Sequence, residues 1–278
     1  MKKSSSILVN KNTITSIAIG GFDGMHAAHQ KLFDNLDDNG AILSIESGYA
    51  NLTPKRYRQE YSKYPIYYYV LDNIKHLEGD QFIKLLKEEY PNLQKIVVGF
   101  DFCFGKNRRY CVKQLKELFH GDVQVIDEIK IDDIAVHSRD IRSFIKDGDI
   151  PTANKLLAKE YKIYGIQIKG QGLGSKSFVP TINLKTEEFL LPKEGVYATT
   201  TILNDKEYES VTFLGHRVTT DGSYAVETHI FDENIINKDY TVQIKFFKKM
   251  RDNKKFDSFE ALKEQIMNDI KETKEYFN

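Results

Sequence analysis

The sequence predicts an open parallel α/β sheet over its first half, followed by a small antiparallel β-barrel with a C-terminal helix. Three observations lead there. A chain of 278 residues suits two domains of roughly 100–200 residues each. Up to residue 150, short apolar runs alternate with helical patterns, as right-handed βαβ crossovers require. From residue 195 onward, alternating runs of strand length follow at turn-rich intervals, as in a small closed barrel. The expected boundary lies between residues 150 and 151.

The first element is an apolar strand, Ile14 to Ile19, with Ile17, Ala18 and Ile19 at its centre. It turns through GGFDGMHAAHQ (Gly20 to Gln30) into an amphipathic helix that opens at His29-Gln30-Lys31-Leu32-Phe33. Gly20, Gly21 and Gly24 allow a tight turn and a close approach of backbone to ligand. The helix N-terminus offers unpaired N–H groups and a partial positive charge, an anion site. His26 and His29, three residues apart, are expected to face the same way on one turn and to grip phosphate.

Gly40 to Ile45 reads as the second strand and Pro65 to Leu71 as a tyrosine-rich third. Asp80 to Glu89 is a helix presenting Phe82, Ile83, Leu85 and Leu86 on one face. Lys95 to Gly99 is a continuous apolar run, as a strand buried on both faces should be, and Val123 to Ile126 is a fifth strand. Open parallel sheets bind ligands at the carboxyl ends of their strands. Gly20–Gly24 and Gly99–Gly105 both fall at that edge.

In VGFDFCFGKNRR (Val98 to Arg109), Phe100, Phe102 and Phe104 alternate with Asp101 and Cys103. Gly105 then introduces Lys106, Arg108 and Arg109. The segment suits a planar aromatic ligand that carries a phosphate: rings to stack, a carboxylate for ring N–H groups, cations for the phosphate. It equally reads as a buried strand entering a solvated basic loop. In HSRDIRSFI (His137 to Ile145), Arg142 either meets a nucleotide phosphate or paves a helix whose Ile141, Phe144 and Ile145 face inward. Pro151-Thr152-Ala153-Asn154 precedes KLLAKEY, where Leu156, Leu157, Ala158 and Tyr161 look helical and Pro151 suits the first helical position. Asn154 is there expected to be exposed. Tyr197–Ile202, Glu209–Leu214, Ser223–Ile230 and Thr241–Phe247 are the clearest barrel strands. A last helix from Ser258, with Phe259, Leu262, Ile266, Ile270 and Phe277 on one stripe, is expected to close the barrel's open side.

Composition excludes several classes of function. Forty basic and forty acidic residues cancel, so no overall field draws the chain to nucleic acid or an anionic membrane. No run approaches the length of a membrane span. The start, MKKSSSILVN, lacks the apolar core of a signal peptide. The two cysteines, Cys103 and Cys111, make no disulfide framework and match no zinc spacing. A cytoplasmic chain with reduced thiols is expected, its oligomeric state open with a monomer favoured.

The string Gly20-x-Phe22-Asp23-Gly24-x-His26-x-x-His29 resembles the nucleotide-transfer motif of bacterial bifunctional riboflavin kinase/FMN adenylyltransferases, also called FAD synthetases. Gly99-x-Asp101-Phe102-x-Phe104-Gly105-Lys106 is similar to the flavin-side motif of the same family. The resemblance implies a Rossmann-like nucleotidyltransferase domain over residues 1–150. ATP would lie against Gly20, Gly21, Phe22, Asp23 and Gly24, with His26 and His29 at the reacting phosphate. FMN would meet Asp101, Phe102, Phe104, Gly105 and Lys106. Ser138 and Arg142 match part of a third motif, Ser-Ser-x-x-Ile-Arg, in which His137 replaces the first serine.

Residues 151–278 resemble the riboflavin kinase half. Pro180-Thr181-Ile182-Asn183 follows the loop Gly170 to Ser177 and precedes Leu191-Pro192-x-x-Gly195-Val196-Tyr197. By resemblance Gly172, Gly174 and Lys176 contact ATP, and Thr181 and Asn183 hold Mg²⁺ against its phosphates. Glu227, in Ala225-Val226-Glu227-Thr228-His229, is implied as the catalytic base, and Arg251 as part of a flavin-side flap. The tetrapeptide at Pro151 is a coincidence, since it precedes the glycine loop. Ser175 and Phe178 depart from the bacterial pattern Gly-Arg-x-Leu-Gly-Phe. The implied activity runs from riboflavin to FMN to FAD with ATP and Mg²⁺. A chain with only one activity, or a non-catalytic flavin-binding regulator, stays open as an alternative.

Overall fold

The computed structural model describes residues 10–168, 179–186, 188–217, 222, 224–231 and 241–278. The chain forms two compact units, Met1–Ser138 and Arg139–Asn278. The division lies upstream of residue 150.

In the first unit, β1 (Ser16–Gly20) leads to α1 (Ala27–Phe33), then β2 (Gly40–Glu46), α2 (Lys55–Arg58), β3 (Ile66–Val70), α3 (Leu71–Ile74), α4 (Gly79–Glu89) and β4 (Lys95–Gly99). A hairpin of β5 (Cys103–Phe104) and β6 (Tyr110–Cys111) precedes α5 (Val112–Leu118), β7 (Asp122–Ile126) and a second hairpin, β8 (Lys130–Ile131) with β9 (Ile134–Ala135). The main sheet has the order β3-β2-β1-β4-β7, with all pairs parallel. Alternation within β1 shows why the strands are apolar throughout. Ile17 and Ile19 pack with Phe82, Leu86 and Phe104 on one face, while Ala18 packs with Phe22, Leu32 and Phe33 on the other.

The second unit begins with α6 (Ser138–Asp147), whose first residue belongs to the unit before, and α7 (Ile150–Leu157). Six strands follow: β10 (Tyr161–Ile168), β11 (Ile182–Thr186), β12 (Gly195–Leu203), β13 (Lys206–His216), β14 (Tyr224–Ile230) and β15 (Thr241–Arg251). They close a barrel in the order β10-β11-β14-β13-β12-β15. A long helix, α8 (Phe259–Phe277), ends the chain, with Ser258 as its N-cap.

Three expectations are corrected here. The barrel is closed by its own strands, through the pairing of β10 with β15. The last helix does not plug an open side: Ile266 and Ile270 pack with Val196, Val211, Phe213 and Met250 on the barrel wall. Ala158 and Tyr161 are not helical. Ala158 is a left-handed C-cap with φ 55°, and Tyr161 opens β10, its N–H donating to Asn154 Oδ1 at 2.7 Å. Cys103 and Cys111 are not free thiols. They are direct cross-strand partners in the β5–β6 hairpin and form a disulfide.

A feature without a sequence signature fills the barrel interior. Thr199, Thr201, Ser210, Thr212 and Thr228 are all buried, and their hydroxyls bond one another at 2.8–3.0 Å. A polar core of this kind is tolerated because the hydroxyls satisfy each other.

Candidate active sites

At the first site, β1 and β4 are neighbours from which the strand order runs outward in opposite directions. Such a switch point opens a crevice at the carboxyl ends of the two strands. The turn after β1 is tightly determined. Phe22, Gly24 and Met25 all have positive φ, at 50°, 87° and 45°, and the Phe22 and Met25 side chains are buried beneath. A Cβ on Gly20 would come within 3.0 Å of the Phe22 ring.

This turn delivers the two imidazoles together. His26 is the N-cap of α1, and its Nδ1 accepts the His29 N–H at 3.4 Å. Their rings stack with centroids 3.5 Å apart, and His29 also meets the edge of Phe22 at 5.1 Å. The histidines are thus paired through a cap rather than along a helical turn. α1 is only seven residues long.

Asp23 does something the motif does not reveal. Its carboxylate accepts the backbone N–H groups of Asn51, Leu52 and Thr53 at 2.9–3.2 Å, fixing the loop after β2. Ser138 Oγ donates to the Asp23 carbonyl at 2.8 Å, so the third motif's serine braces the same turn. Sequence reasoning missed Arg58, which is fully buried. It ion-pairs with Glu46 and donates to the carbonyls of Thr53 and Gly21 at 2.9 and 3.2 Å. Nothing in the spacing of Glu46 and Arg58 signals that pair.

The segment after β4 is divided between core and surface. Phe104 is a core side chain, 6% exposed, and it supports Phe102, stacked on it at 5.7 Å. Asp101 and Lys106 are exposed. Gly105 sits at φ 69°, where a Cβ would strike the Tyr110 ring at 2.7 Å. Arg109 and Tyr110 both bind Glu78 Oε2, at 2.6 and 2.8 Å. These contacts, the Tyr110 hydroxyl foremost, hold the Glu78 carboxyl below its ordinary value.

At the second site, Asn183 and Glu227 are cross-strand partners on β11 and β14. Asn183 is buried and Glu227 half-buried. Arg217, just past β13, joins them. Its Nε donates to Glu227 Oε1 at 2.9 Å, and its Nη2 donates to Asn183 Oδ1 at 2.8 Å. Thr181 lies two residues before Asn183 and is exposed. Gly172, Gly174 and Lys176 lie outside the described residues. Arg251 is bound in a fork to Asp269 of α8, with contacts of 2.8 and 2.6 Å, so much of its donor capacity is committed to the helix. Arg142 is half-buried on α6, between the buried Ile141 and Ile145. Asn154 is a bracket: besides accepting from the Tyr161 N–H, it donates to Phe246 O at 2.8 Å.

The donor set of the second site fits a hard cation. Its oxygens are neutral or anionic, and one of them already meets the positive charge of a guanidinium.

Comparison with known proteins agrees with this division. A family model described as FAD synthetase matches residues 47–140, and one described as riboflavin kinase matches residues 157–277. The bifunctional riboflavin kinase/FMN adenylyltransferase of Buchnera aphidicola is 30% identical, over 96% of this chain and 95% of its own. The chain belongs to that family. The Bacillus subtilis enzyme of the same name is 26% identical over 94% of this chain and 92% of its own. A crystal structure described as a macrolide-efflux protein from Streptococcus pneumoniae superposes with a TM-score of 0.86, at 25% identity and 94% coverage of both chains. No helix among the described residues is long and apolar enough to cross a membrane.

Proposed function

We propose that this chain phosphorylates riboflavin to FMN in its second unit and adenylylates FMN to FAD in its first, using ATP for both. The observation that carries the reading is the pairing of Asn183 with Glu227 in one unit and of His26 with His29 in the other. On this reading, each of the two compact units holds the central residues of one reaction.

In the kinase, Glu227 takes the proton of the flavin's ribityl 5′-hydroxyl as that oxygen attacks the γ-phosphorus of ATP and ADP leaves. Thr181 and Asn183 are the residues that would hold Mg²⁺. When bound, that ion neutralises charge on the transferring phosphate. In the adenylyltransferase, a phosphate oxygen of FMN attacks the α-phosphorus of ATP and pyrophosphate leaves. His26 and His29 donate to the phosphate oxygens as charge builds. Phe102, Asp101 and Lys106 receive the flavin, while Phe104 and Gly105 shape the loop that carries them. Arg251 acts from its fork on Asp269, at the edge of the flavin site. A monomer in the cytoplasm completes the proposal, and the reducing conditions there would open the Cys103–Cys111 bridge.

Two variants test the division. Glu227→Gln should abolish FMN formation from riboflavin yet still convert supplied FMN to FAD. His29→Ala should do the reverse, with FAD synthesis falling roughly 10²-fold or more. Each product is read by chromatography. A variant that lost both activities, or neither, would refute the assignment of its residue.

A further inference from the structure

Arg217 touches both groups on which the kinase reading depends, though no motif in the sequence marks it. One amino group, Nη2, donates to Asn183 Oδ1 at 2.8 Å and also meets the Glu227 carboxylate, while Nε holds the same carboxylate at 2.9 Å. The pair is largely shielded, with side-chain exposures of 19% for Arg217 and 25% for Glu227. Asn183 and Glu227 are fixed to each other by strand register. Arg217 reaches them from just beyond the end of β13 on a long side chain. Of the three groups, the guanidinium is the one carried outside the paired strands.

A magnesium ion on Asn183 Oδ1 would lie about 2.1 Å from that oxygen. With a guanidinium nitrogen 2.8 Å from the same atom, two positive centres would stand under about 5 Å apart in a half-buried site, a strong repulsion. The two cations therefore compete for this oxygen.

We propose that Arg217 is a positioning residue and a place-holding cation of the kinase site. Without nucleotide it neutralises Glu227 and covers the Asn183 oxygen. When Mg²⁺–ATP binds, Arg217 leaves Asn183 but keeps Glu227 through Nε, which orients the carboxylate toward the flavin hydroxyl. This rests on the assignment of Asn183 and Glu227 above.

Competition and orientation predict opposite effects of one substitution. Arg217→Met should bind Mg²⁺–ADP several-fold more tightly, because the competing cation is gone. Its kcat for riboflavin phosphorylation should still fall roughly tenfold or more, because the general base is no longer held. Arg217→Lys keeps a point charge that cannot bridge two oxygens, and its kcat should lie between those of wild type and Arg217→Met. Calorimetric titration of the full chain with Mg²⁺–ADP, beside initial rates, reads both effects. Where a thermal melt shows Arg217→Met unfolded, Arg217→Lys carries the same comparison. An unchanged kcat overturns the proposal, as does an affinity for Mg²⁺–ADP that is unchanged or weaker. A wild-type chain without riboflavin phosphorylation would instead refute the kinase assignment itself.

Discussion

Asn154 and Asn183 end the same tetrapeptide, yet their surroundings give them different work. Asn183 faces the Glu227 carboxylate across a strand pair, whereas Asn154 ties the start of β10 to the carbonyl of Phe246. Asn183→Ala should therefore cut riboflavin phosphorylation severely, with partial recovery at raised Mg²⁺. Asn154→Ala should leave the kinase rate of the folded protein nearly intact. It should nevertheless cost about 2 kcal/mol of stability, because two hydrogen bonds disappear from a half-buried position. FMN formation at two Mg²⁺ concentrations, with a denaturant melt of each variant, separates the two. At this scale the sequence marks candidate residues through their neighbours in the chain, such as Glu227 beside Val226. Partners brought together by folding are silent. The carboxylate of Asp23, the buried Arg58 and the bridging Arg217 each depend on groups distant in sequence, so no local pattern reports them.

Among elements, the long apolar strands were legible because burial on both faces leaves little choice of residue: β4 spans Lys95–Gly99, as its unbroken apolar run predicts. The junction between α7 and β10 was not. Leu156 and Leu157 fit a helix, and nothing local announces that Ala158 will turn left-handed one residue later. At that junction Lys159 is half-buried, and desolvation, aided by the charge of Lys162, lowers its pKa to about 7. In the unfolded chain the same amine titrates near the ordinary lysine value of about 10.4. Between the two values the unfolded state binds more protons, so stability rises with pH across that window. Melting temperature should climb from pH 7 toward pH 9, and Lys159→Met should remove that part of the slope. An equal slope in the variant would show that Lys159 is not its source.

For the whole molecule, the two units should be separable. A fragment from Arg139 to Asn278 retains α6, α7, the barrel and α8. It should phosphorylate riboflavin and make no FAD, as measured by flavin chromatography. A cut at Lys155 removes Ile150 and Ala153 from the buried face of α7 and should give a less stable fragment. Division into two units was visible in the sequence through the change from alternating strand and helix to successive strands. The place of the cut was not, because α7 is amphipathic and its sequence does not say which core its apolar face joins. The central claim is that one chain carries both reactions. Purified protein given riboflavin, ATP and Mg²⁺, sampled over time and resolved by chromatography, tests it most directly. FMN should appear first and FAD should follow at its expense. FMN alone, or flavin bound without turnover, would contradict the account.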